Sequence, residues 1–271
     1  MTATQKLIKY LAIALAILLI VTIFSAIITG ITGIFYLFDD SDADITGDMI
    51  ELYTGDVPTS LDIEIGAAKL TVEKGTSFSI LGNNKKFTAR KDGNTLEIEE
   101  KNSRWNTHSG DSVLIITVPE NTSFKTFSLD IGAGDIQIET LTAETVELDI
   151  GAANFDAQYL SAKNRIDADL GAGDFVIHSG FLNTPDFDLG IGKTEITATL
   201  EGNGDFDCGV GEMILTVYGS PSHYTIRASR GIGDFTVDGE TVSDGTVIGN
   251  GGNTLRISGG VGKITVSFLQ D

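Results

Sequence analysis

Proline is scarce at 4 residues, cysteine and tryptophan occur once each, and histidine three times in a chain of 271. A single cysteine excludes an internal disulfide, so an ordered domain here is held by its core and its backbone hydrogen bonds. The histidines, His108, His178 and His223, lie in separate segments without metal-ligand spacing. Ser, His and Asp all occur, but no spacing joins them as a hydrolase triad. Low proline, and 32 glycines without a period of three, exclude both collagen and proline-rich disorder. Acidic residues are missing altogether before Asp39, and basic residues are few throughout, with 18 Lys and Arg against 38 Asp and Glu for a net charge of −20. That balance excludes nucleic acid as a partner, because neutralising phosphate takes clustered Lys and Arg.

Mean hydropathy is nevertheless positive, and the apolar residues responsible are concentrated in one place. Leu11 to Phe38 is a run of 28 residues without a charged side chain. At ~1.5 Å per residue, a helix of that length exceeds the ~30 Å hydrocarbon core of a bilayer. A cleaved signal peptide has a much shorter apolar core, roughly 7 to 15 residues, so the run is read as an uncleaved transmembrane helix. Lys6 and Lys9 precede it and the acidic DDSDAD (Asp39 to Asp44) follows it. The positive-inside tendency then places residues 1–10 in the cytoplasm and the rest of the chain outside, a single-pass protein of the cell membrane. Residues 39–56 read as an acidic linker. Residues 57–271 read as an extracytoplasmic domain large enough for a substantial core.

That domain contains a repeat. DIGAGDIQIE (from Asp130) recurs as DIGAANFDAQ (Asp149), DLGAGDFVIH (Asp169), DLGIGKTEIT (Asp188) and DCGVGEMILT (Asp207). The first glycines, Gly132, Gly151, Gly171, Gly190 and Gly209, stand 19 or 20 residues apart. Diverged copies surround Gly66, Gly231 and Gly260, and the eight corners use 14 of the 32 glycines. Residues flanking each corner alternate with period two, as in Val146, Leu148 and Ile150 before it and Phe175 and Ile177 after it, which signals half-buried strands. Two short strands and a glycine corner in every ~19 residues predict an all-β protein, a β-solenoid resembling a single-stranded β-helix, preceded by one N-terminal transmembrane helix. Sandwiches and propellers also alternate, but they do not call for the same corner every nineteen residues. Residues 75–125 cannot be divided into coils on this pattern.

In IGAAKLTVE, in DSVLIITVPENTSFKTFSLDIGAGDIQIE and in the DIGA, DLGAGD and DLGIG units that follow, the chain resembles the bacterial putative-adhesin domain family over roughly Val57 to Phe268. The resemblance implies an extracytoplasmic, solenoid-like domain of a membrane-anchored protein, and some relatives are linked to envelope stress. It carries over no catalytic residue, because the family has no active-site motif to match.

Stacking equivalent residues of successive coils aligns two acidic columns. Asp130, Asp149, Asp169, Asp188 and Asp207 stand two positions before the corner glycine. Ser128, Glu147, Asp167, Asp186 and Asp205 stand four before it. Neighbours in a column are expected ~5 Å apart, where like charges repel by ~1 kcal/mol per pair even at water's dielectric. Such a face offers oxygen ligands to Ca²⁺ or an anionic surface to a basic partner. The other reading is a solvated face that keeps the protein soluble. Calcium-binding β-rolls repeat every nine residues, so the glycine and aspartate content alone does not make this chain one of them.

Other motifs carry less. GIGKT (Gly190 to Thr194) lacks the upstream glycine of a phosphate-binding loop, and strand residues follow it where that loop needs a helix. Cys208 occupies the inward position held by Ile131, Ile150, Leu170 and Leu189, and reads as core. Trp105, in the loop KNSRWNTHSGD (Lys101 to Asp111), reads either as an aromatic contact for a glycan or partner, or as a residue folded over the solenoid end. The functional expectation is a non-enzymatic surface or envelope interaction module of adhesin type. Its partners would be the bilayer, through residues 11–38, and an envelope or surface component, with no cofactor other than Ca²⁺. The alternatives are an accessory of envelope-stress signalling, or a β-helix enzyme acting on polysaccharide with acids and an Arg such as Arg165.

Overall fold

A computed structural model describes residues 45–101 and 112–270. The apolar run 11–38 and the loop residues Trp105 and His108 lie outside the described residues, and among those described no helix is long and apolar enough to cross a membrane. The first strands are β1 (Ile45–Gly55), β2 (Ser60–Gly75), β3 (Phe78–Asn84), β4 (Phe87–Asp92), β5 (Thr95–Glu100) and β6 (Val113–Pro119). The middle of the chain forms β7 (Phe124–Ile138), β8 (Leu141–Ala157), β9 (Leu160–Ala172), β10 (Phe175–Ile177), β11 (Gly180–Asn183), β12 (Pro185–Glu201) and β13 (Asn203–Tyr218). The last strands are β14 (Tyr224–Ser229), β15 (Ile232–Val237), β16 (Glu240–Thr241), β17 (Val247–Gly249) and β18 (Asn253–Leu269).

The described residues form an all-β, solenoid-like repeat with one 3-10 turn at Pro221–His223. Each long strand passes through its glycine corner and pairs in parallel, residue for residue, with the next coil. Gly134 lies beside Ala153, Gly192 beside Gly211, and Gly211 beside Gly262. A short third side, Leu141–Ala143 in one coil and Leu160–Ala162 in the next, closes the circuit. Alternation puts every second residue inside, where large and small side chains compensate across the corner. Phe155 and Phe175 stack at 4.4 Å, and Phe187 and Phe206 at 5.4 Å. Phe175 meets Phe187 edge-on at 5.8 Å. Phe175 shares its coil with the small Ala168, and Phe187 shares its coil with Thr194, all four fully or nearly buried. Interleaving of this kind fills the interior without overpacking.

Spatial order departs from chain order at both ends. β2 lies between β7 and a terminal coil made of β5 and β6. β18, the last strand, lies between β13 and a terminal coil made of β14 and β15. Short antiparallel strands then cover the outermost coils. β3 and β4 lie on β6 and β5, with β1 beyond β3, while β17 and β16 lie on β14 and β15. A parallel stack exposes a row of unpaired backbone groups at each end, and these caps satisfy much of it. The linker reading of 39–56 is corrected here over Ile45–Gly55, which is strand β1 paired with β3. Its alternation is weak because it is an exposed edge strand rather than a rung of the core.

Beside the terminal coil of β5 and β6, a side chain holds the neighbouring corner. Glu100 accepts from Gly66 N–H at 2.9 Å and from Asn84 Nδ2 at 3.3 Å, and Asn84 Nδ2 also donates to Ser112 Oγ at 3.0 Å. Glu100→Ala leaves two donors unpaired at a part-buried site, at a cost of about 2 kcal/mol. For a domain of this size that lowers Tm by about 4 to 8 °C, read by thermal circular dichroism. Glu100→Gln keeps an acceptor and costs less.

Candidate functional site

The columns expected from the sequence are in register. Asp130, Asp149, Asp169, Asp188 and Asp207 are successive lateral neighbours, as are Glu147, Asp167, Asp186 and Asp205 beside them. The structure lengthens both. Glu64 stacks on Asp130 and Glu99 on Glu64, so the first column is seven carboxylates long. Asp62 and Glu97 extend the second column across Ser128. Glu64 was within reach of the sequence, since EIGAAKLTVE repeats the corner. Glu99 was not, because the repeat's glycine motif does not follow it in the sequence, where Lys101 and Ser103 stand at those positions.

At the other end the charge changes. Beyond Asp207 the first column continues as Ser258 and Ser229, and beyond Asp205 the second continues as Arg256 and Arg227. The second column is partly neutralised within the chain. Arg165 bridges Asp167 and Asp186 at 2.8 and 3.0 Å, and Arg256 pairs with Asp205 at 3.1 Å. Among the described residues no cation pairs with any of the seven carboxylates of the first column.

Crowding of like charge shows in the proton affinities. Partial burial, then the charges of Asp149 and Asp62, push the Asp130 carboxyl above its ordinary pKa. Asp188 is raised by desolvation and by Asp169 and Asp207 on either side. Asp186 is raised by burial and Asp167, against the opposing pull of Arg165.

Across the corner, three positions after the glycine, the same fold carries a different pattern. Lys193, Glu212, Lys263 and Asp234 alternate in sign down successive coils. Lys263 Nζ reaches Glu212 Oε1 at 3.2 Å, and further along Asn154 Nδ2 donates to Asp135 at 3.0 Å. The solenoid thus tolerates a balanced column, and the uniform one is a property of this sequence rather than of the architecture.

A groove of about 580 Å³ runs beside the first column. Asp149, Asp169, Asp188 and Asp207 line it together with the bare backbone of Gly151, Gly171, Gly190 and Gly209. Among the described residues no three His, Cys, Asp or Glu side chains converge to hold one metal ion. The carboxylates form a line and not a cage. Cys208 packs partly buried with its thiol 3.4 Å from Met213 Sδ, and burial pushes it up to about 12, so it stays protonated. His178 pairs with Asp156 at 2.9 Å, outside the columns.

Fold and surface define a class, a parallel β-solenoid with a column of seven carboxylates along one flank. Residues 58–212 match the family model described as Toastrack DUF4097, and the chain belongs to that family, in keeping with the resemblance read from its repeats. Three solved structures are similar at low identity. A putative cell adhesion protein from Clostridium sporogenes is 16% identical, covers 82% of this chain and 98% of its own, and has a TM-score of 0.35. A putative adhesin from Bacteroides fragilis is 14% identical, with the same coverages and a TM-score of 0.31. One from Parabacteroides distasonis is 14% identical, covers 84% and 98%, and has a TM-score of 0.31. Among curated proteins none matches the chain.

Proposed function

We propose that the protein is a non-enzymatic interaction module of the cell envelope, anchored by residues 11–38 with its solenoid outside, and that its acidic flank engages an extended polycationic partner. The observation that carries this reading is the seven-carboxylate column that no cation pairs with among the described residues, on a fold whose opposite flank alternates its charges. A linear cation repeat matches a line of anions spaced ~4.8 Å apart, whereas a compact metal ion prefers converging oxygens. Electrostatic complementarity of this sort chiefly sets association rate and partner choice, and salt weakens it.

Binding of the full chain in lipid vesicles to fluorescent oligolysine tests the proposal. Tight binding that weakens steeply between 50 and 200 mM salt supports it, by analogy with other multi-contact polyion systems, on the order of tenfold or more. Oligolysine binding no better than a neutral Gly-Ser peptide overturns it. Protease shaving of intact cells checks the orientation, with loss of the solenoid and survival of the first ten residues expected.

A further inference from the structure

One position after the corner glycine, the four coils of β2, β7, β8 and β9 carry Ala67, Ala133, Ala152 and Ala172. The last four in spatial order carry Ile191, Val210, Val261 and Ile232. Alanine satisfies this corner in half the molecule, so the fold does not require branched aliphatics there. The last four form a ridge between glycines, on which Ile191 and Val210 are half-buried while Val261 and Ile232 are 41% and 74% exposed. β-Branched side chains held in water gain nothing unless something covers them.

The charges around the ridge identify what does. Read along the stack, the ridge is Ile, Val, Val, Ile, the same in both directions. The column three positions after the glycine runs Lys193, Glu212, Lys263, Asp234, so reversal sets each charge against its opposite. On the other flank the order is Asp188, Asp207, Ser258, Ser229, so reversal sets acids against hydroxyls. Farther out it is Asp186, Asp205, Arg256, Arg227, again complementary.

We infer that this ridge is a self-association surface, at which two copies pack antiparallel about a two-fold axis lying parallel to the strands, between the rungs of Val210 and Val261. In that arrangement Ile191 meets Ile232 of the second copy and Val210 meets Val261. Lys193 faces Asp234, Glu212 faces Lys263, and no carboxylate faces another. Asp234 has no ion partner within its own chain among the described residues, and the second copy supplies one. The overlap is four coils, and it stops where the ridge gives way to Ala172. An isologous contact uses one patch on both subunits and therefore has to be self-complementary, as these columns are. Four rungs span roughly 15 Å, which puts the contact at the small end of interface sizes and makes the dimer a weak one.

The full chain in detergent micelles, followed by sedimentation velocity across concentration, tests this. A reversible monomer–dimer equilibrium is expected. Asp234→Lys opposes two like charges at two symmetric places and weakens it about tenfold. Combining Lys193→Glu with Asp234→Lys restores opposite signs and brings it back to within about threefold. Val261→Cys cross-links to itself with a short bismaleimide, while Ala133→Cys, on the same column but outside the overlap, does not. Wild type, whose one thiol is the partly buried Cys208, is the blank. A chain that stays monomeric at every concentration, a charge swap that fails to restore association, or equal cross-linking at the two cysteines overturns the inference.

Discussion

Replacing Gly211 with alanine is expected to unfold the protein or to lower its Tm by roughly 10 °C or more. Gly211 sits at φ +143°, and a Cβ built there would lie 1.8 Å from the carbonyl oxygen of Gly192 in the next coil. That oxygen belongs to backbone, so no side chain can swing away. Gly192 has nowhere to retreat, because its own Cβ position is 1.8 Å from the carbonyl of Gly173. Relief at one rung therefore has to be passed to the next. The cost exceeds about 4 kcal/mol, in the range reserved for mutations that break a defining feature of a structure, and at 2 to 4 °C per kcal/mol it dominates the melting curve. Two coils do carry alanine at this position, Ala68 and Ala153, and neither has a positive φ. Alanine is accommodated only where the corner backbone has taken the other conformation from the start. Gly252→Ala, with nothing within 4 Å of the added methyl, is the control and should change stability by less than about 0.5 kcal/mol. If Gly211→Ala melts like that control, the stacked corners are wrong.

The same close approach explains why so much of the fold was legible. A corner that excludes Cβ forces glycine to recur, and recurrence at 19 or 20 residues is visible without any structure. The alternation beside it then fixes which side chains point inward, and hence which acids share a column. What was not legible is the order of the end coils. Sequence spacing places a strand in its own coil, but a parallel register specifies only which residues meet, not which coil is next. β5 and β6 stack outside β2 although they follow it, and β18 slips inside β14 and β15 although it is last. The 66 residues from Gly66 to Gly132, and the 29 from Gly231 to Gly260, were the traces of these detours. Without the detour at the C-terminal end, Asp234 instead of Lys263 would follow Glu212, and that column would lose its alternation of sign. The self-complementary pattern is thus a product of topology, beyond the reach of a linear alignment.

Asparagine in place of Asp149, Asp169, Asp188 and Asp207 together is expected to stabilise the protein while removing most of its affinity for polycations, and opposite movement of the two readouts is what separates function from packing. The change deletes four neighbour repulsions in one column, counting that with Asp130. At ~5 Å and water's dielectric each is at most ~1 kcal/mol, and screening at exposed positions halves that or more. A gain of about 2 kcal/mol, or 4 to 8 °C in Tm at low salt, follows. Raising salt should shrink it. Acid should mimic it, with a sign set by the carboxyls whose pKa is raised. Asp130, Asp186 and Asp188 bind protons more readily folded than unfolded, so stability rises as pH falls through their raised values and the gain is complete below the unfolded value of about 3.9. Glu139 works the other way. Hydrogen bonds from Lys74 lower its pKa, so its contribution is present above the unfolded value and is lost as pH falls through the lowered one. Maximal stability is therefore expected at mildly acidic pH rather than at neutrality, read by melting scans of wild type and variant side by side. The variant should bind oligolysine about a hundredfold more weakly, since four of the seven charges of the line are gone and each contact adds to the others. A variant that melts no higher than wild type at low salt would mean the carboxylates do not stack as described, and one that binds unchanged would remove the column from the binding surface.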